Sequence, residues 1–116
     1  MKASDILDRA RQDFRARESI DVECPEWGVT LRVKPPSLST LSKAQRLSKG
    51  DPIECGARLV AMCAIDEQGE RLFNEAEWKT FMMETSPGVV QRIADSIMKA
   101  SGLIETASDL ADAVKN

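Results

Sequence analysis

Asp51-Pro52-Ile53-Glu54-Cys55-Gly56-Ala57-Arg58-Leu59-Val60-Ala61-Met62-Cys63-Ala64-Ile65 reads as one helix, and its character decides the fold. Asp51 can accept from the free amides of a first turn, Pro52 already has a helical φ, and Glu54 can reach back as in a capping box. Glu54 and Arg58 stand one turn apart as a favourable ion pair. From Leu59 to Ile65 no residue is charged. A helix apolar on nearly every side is a helix surrounded by protein. The helix stops at Asp66-Glu67-Gln68-Gly69, a turn in which glycine supplies a positive φ. Asn74 and Glu77 then form a second capping box, with Phe73 and Trp78 placed as a hydrophobic staple. A rival reading makes Ala61–Phe73 a second hairpin around Glu67-Gln68-Gly69. Ala61, Met62 and Ala64 are poor strand formers, so the helix is preferred.

Upstream, Ser4 can cap a helix running to Arg17, with Ile6, Leu7, Ala10 and Phe14 as a narrow apolar stripe. Acids interleave with Arg9, Arg11, Arg15 and Arg17, so this is a surface helix resting on the domain by one edge rather than a basic arm. Ile20 and Val22 then alternate with Asp21 and Glu23, and Val29, Leu31 and Val33 with Thr30, Arg32 and Lys34. That period predicts a β-hairpin at 19–34, its turn holding Pro25 and Gly28. Acids on the first strand match bases on the second. Trp27 at the tip has two readings: it folds back to plug the hairpin, or it anchors a partner. Pro35-Pro36 ends the strand, and Ser37 or Ser39 caps a short helix from Leu38 to Leu47, closed by Ser48-Lys49-Gly50.

Downstream, the Asn74 helix ends near Met83. Ser86 as cap and Pro87 at the first position open the cleanest amphipathic helix of the chain. Its apolar face is Val89, Val90, Ile93, Ala94, Ile97 and Met98, and Ser101-Gly102 stops it. The expected architecture is mainly α (α+β): a small helical domain of about four to five helices with one N-terminal β-hairpin. It occupies 1–102 as a single unit, and 103–116 is a weakly structured tail.

The totals bound the function. At 116 residues the chain is one small domain, with aromatics only 4% and no Tyr, so aliphatic side chains and Met do the packing. A net charge of −3 and a pI near 5.0 argue against nucleic acid as the main partner. The charged start Met1-Lys2-Ala3-Ser4-Asp5 reads as no secretory leader, and no run approaches the ~20 apolar residues of a membrane span. Cys24, Cys55 and Cys63, an odd number without CxxC spacing, read as cytosolic thiols. The chain has no histidine, which removes His-based acid–base work, His dyads and His-containing zinc sites. Asp66-Glu67-Gln68-Gly69-Glu70 lacks the alternating ligands of a calcium loop, and no glycine-rich phosphate motif is present. The residues therefore point to an interaction module, neither an enzyme nor a cofactor binder. Apolar groups available to a partner are Pro25 and Trp27 at the hairpin tip, and Leu103, Ile104 and Leu110 beyond the last helix stop.

Ile20-Asp21-Val22-Glu23-Cys24-Pro25-Glu26-Trp27-Gly28-Val29-Thr30-Leu31-Arg32-Val33, the serine-rich helix start at 37–41, and the run Ala57–Phe73 with its Asp-Glu-x-Gly-x-Arg-Leu-Phe turn occur here in a familiar order. Over residues 19–104 the chain resembles the tail assembly chaperones of long-tailed, siphovirus-type (lambda-like) bacteriophages. The Pro-Glu-Trp-Gly tip and the turn that follows carry most of the likeness. The resemblance implies a mainly helical chaperone that coats the tape measure protein in the host bacterial cytoplasm and keeps it soluble. It implies displacement as the tail tube polymerises, absence from the mature virion, and self-association into rings or spirals. It also implies a longer, frameshifted form that recruits the major tail protein; a short tail ending at Asn116 suits the unextended form. Other classes consistent with the residues are a tail or head completion protein and a small cytosolic adaptor or regulator.

Overall fold

The computed structural model describes residues 1–103. Along the chain run α1 (Ala3–Ala16), β1 (Ile20–Cys24), β2 (Val29–Val33), α2 (Leu38–Leu47), α3 (Pro52–Cys63), β3 (Ala64–Ile65), α4 (Glu75–Glu84) and α5 (Pro87–Ala100). The fold is mainly helical α+β with the N-terminal hairpin in place, plus a third strand that the preferred helix reading left out and the rival hairpin reading of Ala61–Phe73 included. Of the segment 103–116, only Leu103 is described; Ile104 and Leu110 lie outside the described residues.

α3 is the centre, for the reason its composition gives. It buries Gly56, Ala57, Leu59, Val60, Ala61 and Cys63. Its chief partner is α5, which turns Val89, Val90, Ile93, Ala94 and Ile97 inward. Gly56 faces α5 across that contact, where an added Cβ would lie 3.4 Å from the Ala94 Cβ, at the close limit of ordinary contact. The apolar face of the hairpin (Val22, Cys24, Leu31, Val33) closes the core on another side. Its register pairs Val22 with Leu31 and Asp21 with Arg32, and those two charged side chains meet at 3.2 Å as the alternation predicted. Pro25 O accepts from Gly28 N at 3.1 Å, and Gly28 takes φ +66°, so the tip needs its glycine.

Helix ends follow local chemistry with three departures. Asp51 Oδ1 accepts from Ile53 N at 3.0 Å and Glu54 N at 3.4 Å, but Glu54 does not complete a box; its carboxylate turns to Arg58 at 3.7 Å. The Asn74–Glu77 box is complete, at 2.8 and 3.0 Å, and Ser37 is the serine that caps α2, accepting from Thr40 N at 3.2 Å. Ser4 is not the cap of α1. The helix starts one residue before it, and the Asp5 carboxylate accepts from Lys2 N at 3.2 Å. Ser86 sits at the cap position of α5 without making a side-chain capping bond. At the other end, Gly102 N donates to Lys99 O and Leu103 N to Met98 O, both at 3.1 Å, with Gly102 at φ +77°. This is the paired-bond glycine stop that Ser101-Gly102 announced.

The expected helix through Ile65 ends at Cys63. β2 has an open edge whose backbone groups need partners, and the chain leaving α3 supplies them. Lys34 N donates to Cys63 O at 2.9 Å, and Val33 and Arg32 pair with Ala64 and Ile65. Ile65 in turn bridges Arg71, around a turn in which Asp66 Oδ1 accepts from Gln68 N and Glu70 N at 2.9 Å each and Gly69 has φ +79°. The rival hairpin reading thus holds from Ala64 onward, and the helix reading holds up to Cys63. Poor strand propensity at Ala64 is outweighed by a sheet edge that was already there.

Candidate interaction surfaces

The hairpin tip is built by the turn at residues 25–28 and held by α5. Arg92 grips the Glu26 carboxylate with both terminal nitrogens, at 2.6 and 2.8 Å, and reaches Glu23 O at 3.4 Å. The guanidinium hydrogen bonds hold the Glu26 carboxyl at about 2, and raise the Arg92 pKa in return. Behind the tip, the Trp27 ring meets Phe81 edge-on, with centroids 6.4 Å apart and planes at 81°. Phe73 (5.3 Å) and Trp78 (6.1 Å) converge on the same buried Phe81. Trp27 therefore lies half-buried against the core, as the folded-back reading of the tip has it, while Pro25 is exposed.

Leu103, 51% exposed, follows the glycine stop of α5. Arg17 Nη1 donates to Ala100 O at 3.3 Å, which sets the end of α1 beside the end of α5. Arg92 and Ala100 lie eight residues apart on one helix, ~12 Å along its axis. The structure thus places the tip of Pro25 and Trp27 beside Arg92, near the middle of α5, and Leu103 beyond its C-terminal end. They do not form one patch.

Two surfaces depart from the sequence reading, one that it did not contain and one that it expected to rest on the domain by an apolar edge. The first is a cleft of about 520 Å³ between α2, α3 and α4, with Lys43, Arg58, Arg71 and Lys79 among its lining, Glu75 as the lone acid and Trp78 as an aromatic wall. Arg58 stacks on Trp78 at 4.8 Å, and its occluded Nε has no acceptor. In a chain of net charge −3 this cleft is locally positive and favours carboxylates. Its bases come from four separate stretches, so no local spacing announced it. The second is α1. None of its residues is buried, and Ile6, Leu7 and Phe14 are 54%, 60% and 37% exposed.

Among the described residues no group of three or more Cys, Asp or Glu side chains could hold a metal ion, and no helix is long and apolar enough to cross a membrane. Burial pushes the Cys63 thiol up to about 12 and raises that of Cys55, the latter against a lowering hydrogen bond from Ser48. Neither is poised as a thiolate nucleophile near neutral pH. No protein-family model matches this chain, and neither the curated proteins nor the solved structures hold a significant match to it.

Proposed function

We propose that this protein is a tail assembly chaperone of the long-tailed phage type, a non-catalytic protein that self-associates and coats the tape measure protein in the host bacterial cytoplasm. It keeps that client soluble until the tail tube polymerises, and it is absent from the finished particle. A longer form of the same chain recruits the major tail protein. One observation carries the reading beside the resemblance over 19–104. A small fold leaves Ile6, Leu7, Leu38, Ile53, Met83 and Leu103 each more than half exposed. Of these, Ile6 and Leu7 lie side by side on α1, none of whose residues is buried, and so offer a continuous apolar stripe to another protein. A chaperone for an apolar helical client needs such surface, and self-association shields it until the client arrives.

The test is co-expression with tape measure protein, followed by light scattering on a sizing column over a range of concentrations. The expected outcome is growth with concentration and a soluble complex with the client. A monomer that leaves the client insoluble would overturn the proposal. Mass spectrometry of purified particles separates a chaperone, absent from them, from a tail or head completion protein, which stays.

A further inference from the structure

We infer that α1 is a self-recognition element: two copies of this chain pair through their α1 helices, antiparallel, along the stripe Leu7, Ala10 and Phe14. α1 is a 14-residue helix with no buried residue. Among the described residues its end is tied to the fold by the single Arg17–Ala100 hydrogen bond. Isolated helices of this length are marginal in water, and helical stability in proteins comes mostly from packing one apolar face. The face exists: Ala3, Ile6, Leu7, Ala10 and Phe14 fall within one narrow stripe, and none of them is buried, although Phe14 is 37% exposed against 54% and 60% for Ile6 and Leu7.

The sequence of the stripe says what covers it. Set antiparallel so that Leu7 meets Ala10 of the second copy, the same register sets Phe14 against Ala3. The four central layers of Ala3, Leu7, Ala10 and Phe14 then each pack a large side chain on a small one, with Ile6 at the flank against the stem of Arg11. Charge agrees. Asp5, Asp8 and Arg9 lie in the first half, and Arg11, Asp13 and Arg15 in the second, a net −1 against a net +1. Antiparallel pairing brings Arg11 beside Asp8 of the other copy and opposes the two helix dipoles. A parallel pair would stack Asp8 on Asp8, Arg11 on Arg11 and Phe14 on Phe14. A two-fold antiparallel contact is self-complementary, as an isologous interface must be. A lipid surface fits less well: within Ala3–Ala16 three Asp cancel three Arg, so the polar face has no net pull toward anionic headgroups.

Few side chains contribute per copy, far short of the roughly 1,600 Å² buried in a standard interface. The α1 contact is therefore a weak, concentration-dependent link, suited to joining units within a larger assembly. This inference deepens the proposed chaperone function by naming one surface of its self-association.

Sedimentation equilibrium of the full chain across a concentration series tests it, with thermal unfolding as a control. Phe14→Asp should weaken association by about tenfold or more while leaving the melting temperature unchanged, because Phe14 adds nothing to the core. Asp8 and Arg11 also pair within one helix at 3.0 Å, so the charge test is made between chains: Asp8→Arg and Arg11→Asp should each weaken association, and mixing the two variants should restore it. Association unaffected by Phe14→Asp, or charge-reversed chains that do not rescue each other when mixed, overturns the inference. The client assay is read separately. A Phe14→Asp chain that loses association yet solubilises tape measure protein upholds the α1 contact and dissociates it from chaperoning. A wild-type chain that pairs through α1 but leaves the client insoluble sinks the chaperone proposal alone.

Discussion

Sixty-six positions separate Glu26 from Arg92, and no local rule joins them; their bidentate contact exists because the hairpin tip folds onto α5. The contact holds the Glu26 carboxyl at about 2 instead of its ordinary 4.5. A depressed carboxyl stabilises the fold in full above its unfolded value, so the contribution is present above pH 4.5 and drains away as pH falls toward about 2. Both side chains are well exposed, so water screens the pair and its share of stability is small. The sharper readout is the carboxyl itself. Its NMR titration should have a midpoint near 2 in the native chain and return toward 4.5 in Arg92→Gln. Trp27 belongs to the same scale. Its ring meets Phe81 edge-on, so Trp27→Ala should lower folding stability by about 1–3 kcal/mol, measured by urea unfolding. An unchanged midpoint with weakened association would make the ring a partner anchor instead. The sequence left both roles of Trp27 open, because whether a tip aromatic folds back depends on Phe81, fifty-four positions away in the chain.

Elements formed largely where short-range chemistry predicted them. The hairpin alternation, the proline-led starts of α3 and α5, the Asn74–Glu77 box and the Gly102 stop all depend on residues within a few positions of one another. Asp51 is the most exposed test of that logic, since its carboxylate alone caps the helix that organises the core. Asp51→Ala should cost about 1 kcal/mol in urea unfolding, and Asp51→Ser should recover most of it. No loss in the alanine variant would show α3 held by packing alone. β3 is where element-level reading failed. Ala64 is a poor strand former beside a β-branched Ile65, and the two are strand because β2 offered an unpaired edge at the end of α3, where Lys34 N meets Cys63 O at 2.9 Å.

At the scale of the molecule, a core of α3, α5 and the hairpin face leaves a positive cleft on one side and an unburied helix at the N-terminus. The two association experiments belong here, because they ask what those surfaces meet. By itself the sequence determined the composition of the core helix, the hairpin and its Asp21–Arg32 pair, and most helix boundaries, since these follow from neighbours along the chain. Its apolar stripe on α1 was also legible, but as a helix resting on the domain by one edge. Only the tertiary structure decided that the stripe stays unburied, that Trp27 turns to Phe81, that the tip docks at mid-α5 while Leu103 follows its C-terminal end, and that Lys43, Arg58, Arg71 and Lys79 gather around Trp78. Each of those outcomes depends on which distant surfaces become adjacent once α3 is enclosed. That is settled by the competition to bury apolar area and pair backbone edges across the whole chain, and no local pattern records it.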